Sequence, residues 1–119
     1  MSPEVFAAFE RMVARRFGSR DVGAVLEIGA TAWTLLAIPS FARSRRVALN
    51  MQEVAGEGFL ASCERVVGNS NELQFAAATF DCVLSSSVME HDAYFWRSAA
   101  EIHRVLRPGG HSSSACPSS

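Results

Sequence analysis

The sequence has few cysteines and no large excess of charge of either sign. Cys63, Cys82 and Cys116 are spread over 119 residues, and an odd number of separated thiols in or beside apolar runs favours reduced, buried side chains over a disulfide framework. The net charge of −1 provides no broad attraction to nucleic acid or to anionic lipid. We therefore expect neither as a partner and predict a cytoplasmic location.

Long apolar runs and metal-ligand patterns are also missing. The N-terminal segment mixes charged and apolar residues, which is not typical of a signal peptide or a membrane span. No paired cysteine or histidine spacing supports zinc, and Glu90, His91 and Asp92 are adjacent residues whose side chains point apart. No metal site is predicted. The G-x-G-x-x-G turn of dinucleotide-binding proteins is absent as well, which argues against a nicotinamide cofactor.

The chain does contain short apolar runs that alternate with helix-compatible segments. Residues 3–17 repeat apolar positions at three- and four-residue steps, which predicts an amphipathic helix that covers one face of a sheet. Candidate strands lie at 25–28, 47–49, 65–67 and 80–85. Candidate helices follow at 32–37, 51–60 and 93–106. This alternation predicts an α/β fold, a Rossmann-like parallel sheet with flanking helices.

The length suits one domain with one core. We divide the chain into an N-terminal helix at 1–21, a core at 22–110 and a tail at 111–119. The tail follows the turn at Pro108, where a further apolar strand is expected, yet it is rich in serine and would bury little surface. It is therefore predicted to be irregular. A shift of reading frame before the tail is one explanation, which sequencing of the gene tests.

The most informative segment is 23–31, GAVLEIGAT. It has the pattern of an apolar strand that ends in an acid and turns through glycine into a helix. Nucleotide-like ligands bind at such an edge in open α/β sheets, because unpaired backbone amides and the helix dipole converge there. The segment therefore predicts a small-ligand site.

Four segments together resemble the class I S-adenosylmethionine-dependent methyltransferases, in particular the domain called type 11. The resemblance covers residues 23–110. It rests on VLEIG at 25–29, GNSNELQF at 68–75, FDCVLSSSVMEH at 80–91 and EIHRVLRPGG at 101–110. Each segment alone is a weak signal, but the four occur in the family's order and spacing.

The resemblance implies S-adenosyl-L-methionine as cofactor and methyl transfer to an unidentified small-molecule acceptor. It gives Glu27 the methionine ammonium, Gly29 a close backbone approach, and His91 either a structural, cofactor-shaping role or that of a general base. It assigns no catalytic residue. The cofactor-binding residues that it implies are Glu27, Gly29, Ala30, Thr31, Asn50, Met51, Asn69, Ser70, Leu73, Ser85, Ser86 and His91.

The sequence departs from the family pattern at several of these positions. Ala30 and Thr31 stand where further glycines are usual, and Asn50 replaces the acid that accepts the ribose hydroxyls. A neutral amide still accepts a hydrogen bond but loses charge assistance, which is expected to weaken binding by about 1 kcal/mol. Asn69 replaces an aspartate near the adenine amine, which is a milder change because its oxygen is still an acceptor.

Relative to this family, the chain is expected to be C-terminally truncated, with an incomplete sheet of about four strands. The strand at 80–85 would then lie at the edge of the sheet, where its open backbone groups favour self-association with another chain. Because of this truncation, the alternative function is a non-catalytic remnant that acts as a binding or interaction module.

Overall fold

One parallel sheet organises the protein. The computed structural model describes residues 3–18, 22–29, 34–50, 58–69, 71–85 and 95–114. The strands are β1 (Ala24–Ile28), β2 (Arg45–Asn50), β3 (Glu64–Val67), β4 (Phe80–Ser85) and β5 (Leu106–Ser114). Their order is β3-β2-β1-β4-β5, and every neighbouring pair is parallel. The predicted Rossmann-like α/β class is confirmed.

The apolar side chains of β1 alternate between two cores on opposite faces of the sheet. Val25 belongs to a cluster with α1 (Pro3–Phe17), whereas Leu26 belongs to a cluster with α2 (Phe95–Val105). Successive strand residues point to opposite faces, so a strand covered on both sides is apolar at nearly every position. The dense apolar runs in the sequence follow from this three-layer arrangement.

The two long helices form close to where the sequence predicts them. In α1, Glu4 lies in the first turn and Arg15 and Arg16 lie in the last, which complements the helix dipole. Gly18 follows with φ of +60° and donates its N–H to the Ala14 carbonyl at 2.8 Å, which ends the helix. The buried residues of α1 are Phe9, Val13 and Phe17.

The two shorter predicted helices differ from the structure. In the described part of 32–37 the chain forms a 3₁₀ helix, Leu35–Ala37, followed by a second one at Pro39–Phe41. Pro39 lacks the N–H that would continue the first turn, so the segment cannot extend as an α-helix. Of the predicted helix at 51–60, residues 51–57 lie outside the described residues, and Gly58–Ser62 is again a 3₁₀ helix.

The prediction of four strands is wrong, and so is that of an irregular chain over residues 111–114, whereas residues 115–119 of the predicted tail lie outside the described residues. Residues 111–114 pair in parallel with β4, from Cys82 opposite His111 to Ser85 opposite Ser114, after a register shift near the turn. The serines carry no apolar signal, but sheet pairing uses backbone N–H and C=O groups that every such residue has. β4 is therefore an interior strand, and the expectation that it lies at the open edge of the sheet is wrong. Self-association of the chain stays a prediction.

At the amino ends of the strands, Asp81 joins three elements. Its Oδ2 accepts the backbone N–H of Ala24 at 2.9 Å and a guanidinium N–H of Arg107 at 2.9 Å. A Cβ at Gly23 would lie only 2.7 Å from the same oxygen. Glycine at position 23 therefore allows the carboxylate to approach β1 and to join it to β4 and β5.

Candidate functional site

The order in which strands are added to the sheet reverses at β1, and the carboxyl edge of the sheet lies next to this point. From β1 the chain adds β2 and β3 on one side, whereas β4 and β5 lie on the other. Connections leave such a point in opposite directions, so a crevice opens outside the strand ends. Registers that pair Ile28 with Leu49 and with Ser85 bring the ends of β1, β2 and β4 to one level.

Gly29 forms the turn that follows β1. Its φ is +77°, a conformation that side chains with a Cβ rarely adopt. Its N–H donates to the carbonyl of Leu49 at 2.8 Å, so the turn stays attached to the end of β2. The expected glycine turn is present, and its backbone lies close to the neighbouring strand.

Glu27 is fully buried and lies on the face of the sheet that α1 covers. Its Oε1 accepts the hydroxyl hydrogen of Thr34, and it accepts the backbone N–H of Leu35 at 3.2 Å. Thr34 in turn caps the 3₁₀ helix, because its Oγ1 accepts the N–H of Leu36 at 3.1 Å. The carboxyl group therefore connects β1 to the far end of the loop that follows it.

Asn50 and Asn69 are held near each other at the ends of β2 and β3. Asn50 pairs with Val67, and its carbonyl accepts the N–H of Gly68 at 2.8 Å, one residue before Asn69. The Oδ1 of Asn69 accepts the N–H of Asn71 at 2.9 Å, which closes a local turn. Asn50 is half-buried and Asn69 is exposed, so two amide side chains line adjacent strand ends.

The remaining described candidates are more deeply placed. Ser85 ends β4 and is 2% exposed. Leu73 is 4% exposed and belongs to the core under α2, so its side chain packs in the interior. The other predicted positions lie outside the described residues; these are Ala30, Thr31, Met51, Ser70, Ser86 and His91.

Residues 25–113 match the family described as the methyltransferase domain, which is more than half of the chain. The chain belongs to this family. It is thus a class I S-adenosylmethionine-dependent methyltransferase domain, as the sequence resemblance predicts.

Individual relatives agree with the assignment of this methyltransferase domain. The ubiquinone/menaquinone biosynthesis C-methyltransferase UbiE of Blochmanniella floridana is 36% identical over 62 residues, which is 52% of this chain and 24% of that protein. The chain thus spans about a quarter of the length of this curated relative.

Two solved structures share the fold at low identity. A Methanococcus maripaludis protein assigned as an S-adenosyl-L-methionine-dependent methyltransferase aligns with a TM-score of 0.77 at 18% identity, over 93% of this chain and 55% of that one. The 1,6-didemethyltoxoflavin-N1-methyltransferase of Burkholderia thailandensis, with bound 1,6-didemethyltoxoflavin and S-adenosylhomocysteine, aligns at 0.72 and 21% identity, over 92% and 50%. The chain spans about half of each.

The chemistry of the described residues fits the cofactor that the family implies. An adenosyl group offers ribose hydroxyls and an adenine amine as donors, and the side-chain oxygens of Asn50 and Asn69 are acceptors at adjacent strand ends. The methionine portion needs backbone close by, which the turn at Gly29 provides. The buried Glu27 carboxyl bonds to Thr34 and Leu35, which follow this turn in the sequence.

Several residues that shape the site were missed by sequence reasoning. Thr34 is one; a threonine immediately before a short apolar helical segment is a capping signal that could have indicated it. The others lie on α2, where Ser98, Glu101 and Arg104 hydrogen-bond to the loop after β3. Their three-residue spacing on an amphipathic helix was the available signal.

The titratable groups near the strands are mainly structural. Burial raises the pKa of the Cys82 thiol to about 12, and burial also raises that of Cys63. Both are free cysteines inside the core, as the sequence predicts. Within the described ranges, no three His, Cys, Asp or Glu side chains converge as a metal site, and no helix is long and apolar enough to cross a membrane.

Proposed function

We propose that this methyltransferase domain binds S-adenosyl-L-methionine at the carboxyl edge of its sheet and transfers the methyl group to a small-molecule acceptor. The bound cofactor would supply a methyl group already activated on a sulfonium. The protein then needs mainly to orient the acceptor and to exclude water. The absence of an assigned acid or base is compatible with such chemistry.

One observation carries the proposal, namely that Asn50 and Asn69 are neighbours beside the Gly29 turn. The bond from the Gly68 N–H to the Asn50 carbonyl, at 2.8 Å, joins the ends of β2 and β3. The N–H of Gly29 donates to Leu49, the residue before Asn50, also at 2.8 Å. We assign the ribose hydroxyls to Asn50 and the adenine amine to Asn69.

The methyl group is expected on the β4 side of the crevice. Ser85 ends β4 directly across from Ile28 of β1, so it lies beside the turn that would hold the methionine portion. Ser86 and His91 follow in sequence and complete the proposed site. His91 would shape the cofactor pocket or accept a proton from a hydroxyl or amine acceptor.

A small acceptor is supported by analogy with a neighbouring structure. The Burkholderia thailandensis enzyme, which shares the fold, holds 1,6-didemethyltoxoflavin together with S-adenosylhomocysteine. The same architecture therefore accommodates a small heterocycle beside the cofactor product. We expect the acceptor of the present domain to belong to the same broad class of small molecules.

Titration calorimetry with S-adenosylhomocysteine and with NAD tests the proposal directly. Heat from the first ligand alone is expected. Asn50→Asp should then tighten binding about fivefold, since a charged acceptor adds about 1 kcal/mol to the bonds with the ribose, whereas Asn50→Ala should weaken it. No heat from S-adenosylhomocysteine would refute the proposal and favour the non-catalytic module.

Methyl transfer itself requires a separate measurement. The protein is incubated with pools of small acceptors and cofactor labelled in its methyl group. Transfer at the proposed site is supported if labelled product forms and if excess S-adenosylhomocysteine prevents its formation. Binding without labelled product from any pool would leave a cofactor-binding domain and contradict the catalytic part of the proposal.

A further inference from the structure

One face of α2 carries three polar side chains that contact the loop at 69–79. Ser98, Glu101 and Arg104 are spaced by three residues, so they lie along one side of the helix. Ile102 and Val105 pack into the core next to them. The polar residues therefore act at the boundary between the core and the loop that contains Asn69.

Ser98 is connected to the side chain of Asn69 through a single intermediate residue. The Ser98 hydroxyl, which is fully buried, donates to Oδ1 of Asn71 at 2.7 Å. The backbone N–H of Asn71 donates to Oδ1 of Asn69 at 2.9 Å. The side-chain oxygen of Asn69 is thus linked through Asn71 to the buried Ser98 of α2.

Glu101 and Arg104 hold the backbone a few residues further along. Oε1 of Glu101 accepts the N–H of Leu73 at 2.9 Å, and Nη2 of Arg104 donates to the Leu73 carbonyl at 2.7 Å. Arg104 also donates to the carbonyl of Phe75 at 2.7 Å and pairs with Glu101 at 2.8 Å. Both backbone polar groups of Leu73 are therefore satisfied by α2 side chains.

We propose that Ser98, Glu101 and Arg104 are positioning residues that set the orientation of Asn69 for recognition of the adenine amine. The inference rests on the proposed cofactor-binding function. Asn69 and Glu72 are exposed, and apolar contact of the loop with the core comes from Leu73 further along the chain. Bonds from a packed helix fix its geometry before the ligand arrives, so that less conformational entropy is lost on binding.

The test compares two ligands that differ at the adenine amine. S-adenosylhomocysteine carries the amine, whereas S-inosylhomocysteine carries a carbonyl oxygen there, which cannot donate to Asn69. Calorimetry on the wild type should show a preference for the first. Ser98→Ala and Glu101→Gln should each weaken its binding about three- to tenfold, as expected for a lost hydrogen bond, and should reduce the preference between the ligands.

Two variants with the same chemical change serve as controls. Ser62→Ala removes a hydroxyl that donates to the carbonyl of Phe59 at 2.8 Å, and Glu64→Gln alters a carboxylate paired with Arg45 at 3.0 Å. Neither side chain is bonded to the loop at 69–79. Both controls should retain the wild-type affinity and the wild-type ratio between the two ligands.

The ratio separates positioning from simple stability. If Ser98→Ala and Glu101→Gln lower the melting temperature but leave the ligand ratio at its wild-type value, the inference is overturned and the contacts are only structural. If the wild type binds neither ligand, the proposed function fails and the inference fails with it. If Ser98→Ala does not fold, the ratio between the two ligands is measured on Glu101→Gln and Arg104→Lys instead.

Discussion

Thr34→Val is the sharpest test of how the loop after β1 is held. The substitution keeps the side-chain shape but removes the hydroxyl that donates to Glu27 and accepts the Leu36 N–H at 3.1 Å. Thr34 is 2% exposed and Glu27 is fully buried, so water cannot replace either bond without a local opening. The variant should therefore destabilise the fold although its volume is conserved.

The magnitude follows from three contributions. Loss of the bond to the carboxyl group costs about 2 kcal/mol, and loss of the helix cap costs about 1 kcal/mol. The added buried methyl group offsets about 0.8 kcal/mol. The net destabilisation of about 2 kcal/mol corresponds to a decrease in melting temperature of about 8 °C for a domain of this size.

Urea unfolding followed by circular dichroism measures this difference, with Thr79→Val as the matched control. Thr79 donates its hydroxyl to the carbonyl of Ala76 at 2.6 Å near the surface, so its loss should cost only about 0.5 kcal/mol. The slope of the free energy of unfolding against urea should stay constant. If the two variants differ by less than about 0.5 kcal/mol, the buried Thr34–Glu27 bond does not stabilise the loop as argued.

Three further predictions concern stability and reactivity. Gly23→Ala should lower the free energy of unfolding by about 1–2 kcal/mol, because the new Cβ displaces the Asp81 carboxylate; an unchanged urea midpoint would contradict this. The bonded guanidinium of Arg104 lowers the pKa of Glu101. The stabilisation that ionised Glu101 contributes is therefore complete above its pKa in the unfolded chain, about 4.3, and is lost as the pH falls through its pKa in the folded protein. Glu101→Gln should flatten that acid limb of the stability profile. The Cys82 thiol, with a pKa of about 12, should react with thiol reagents at pH 8 only after unfolding, as mass spectrometry of the labelled peptide would show.

The two long helices and the first four strands could be predicted because their patterns are local. Phe80–Ser85 is apolar at most positions and forms β4 over the predicted residues. The strand β5 could not be predicted in this way. Its serines reveal nothing about burial, and the strand forms by backbone pairing with β4, a partner that is distant in sequence.

The candidate site shows the same division. The turn at Gly29 and the amides at Asn50 and Asn69 could be predicted from motifs, because each follows a recognisable strand. The cofactor contact of Leu73 stays a prediction; the structure shows that its side chain lies in the core and that its backbone bonds to α2. A sequence motif identifies such a segment without indicating which of its atoms face the ligand.

The sequence by itself determined the α/β class, the family and the strand ends at which we propose that a ligand binds. These features depend on short-range periodicity and on glycine at a turn, which act within a few residues. Only the tertiary structure decided that β4 is interior, that Glu27 bonds to Thr34, and that α2 holds the loop of Asn69. Those contacts join residues far apart in the chain, so their geometry arises only when the layers pack together.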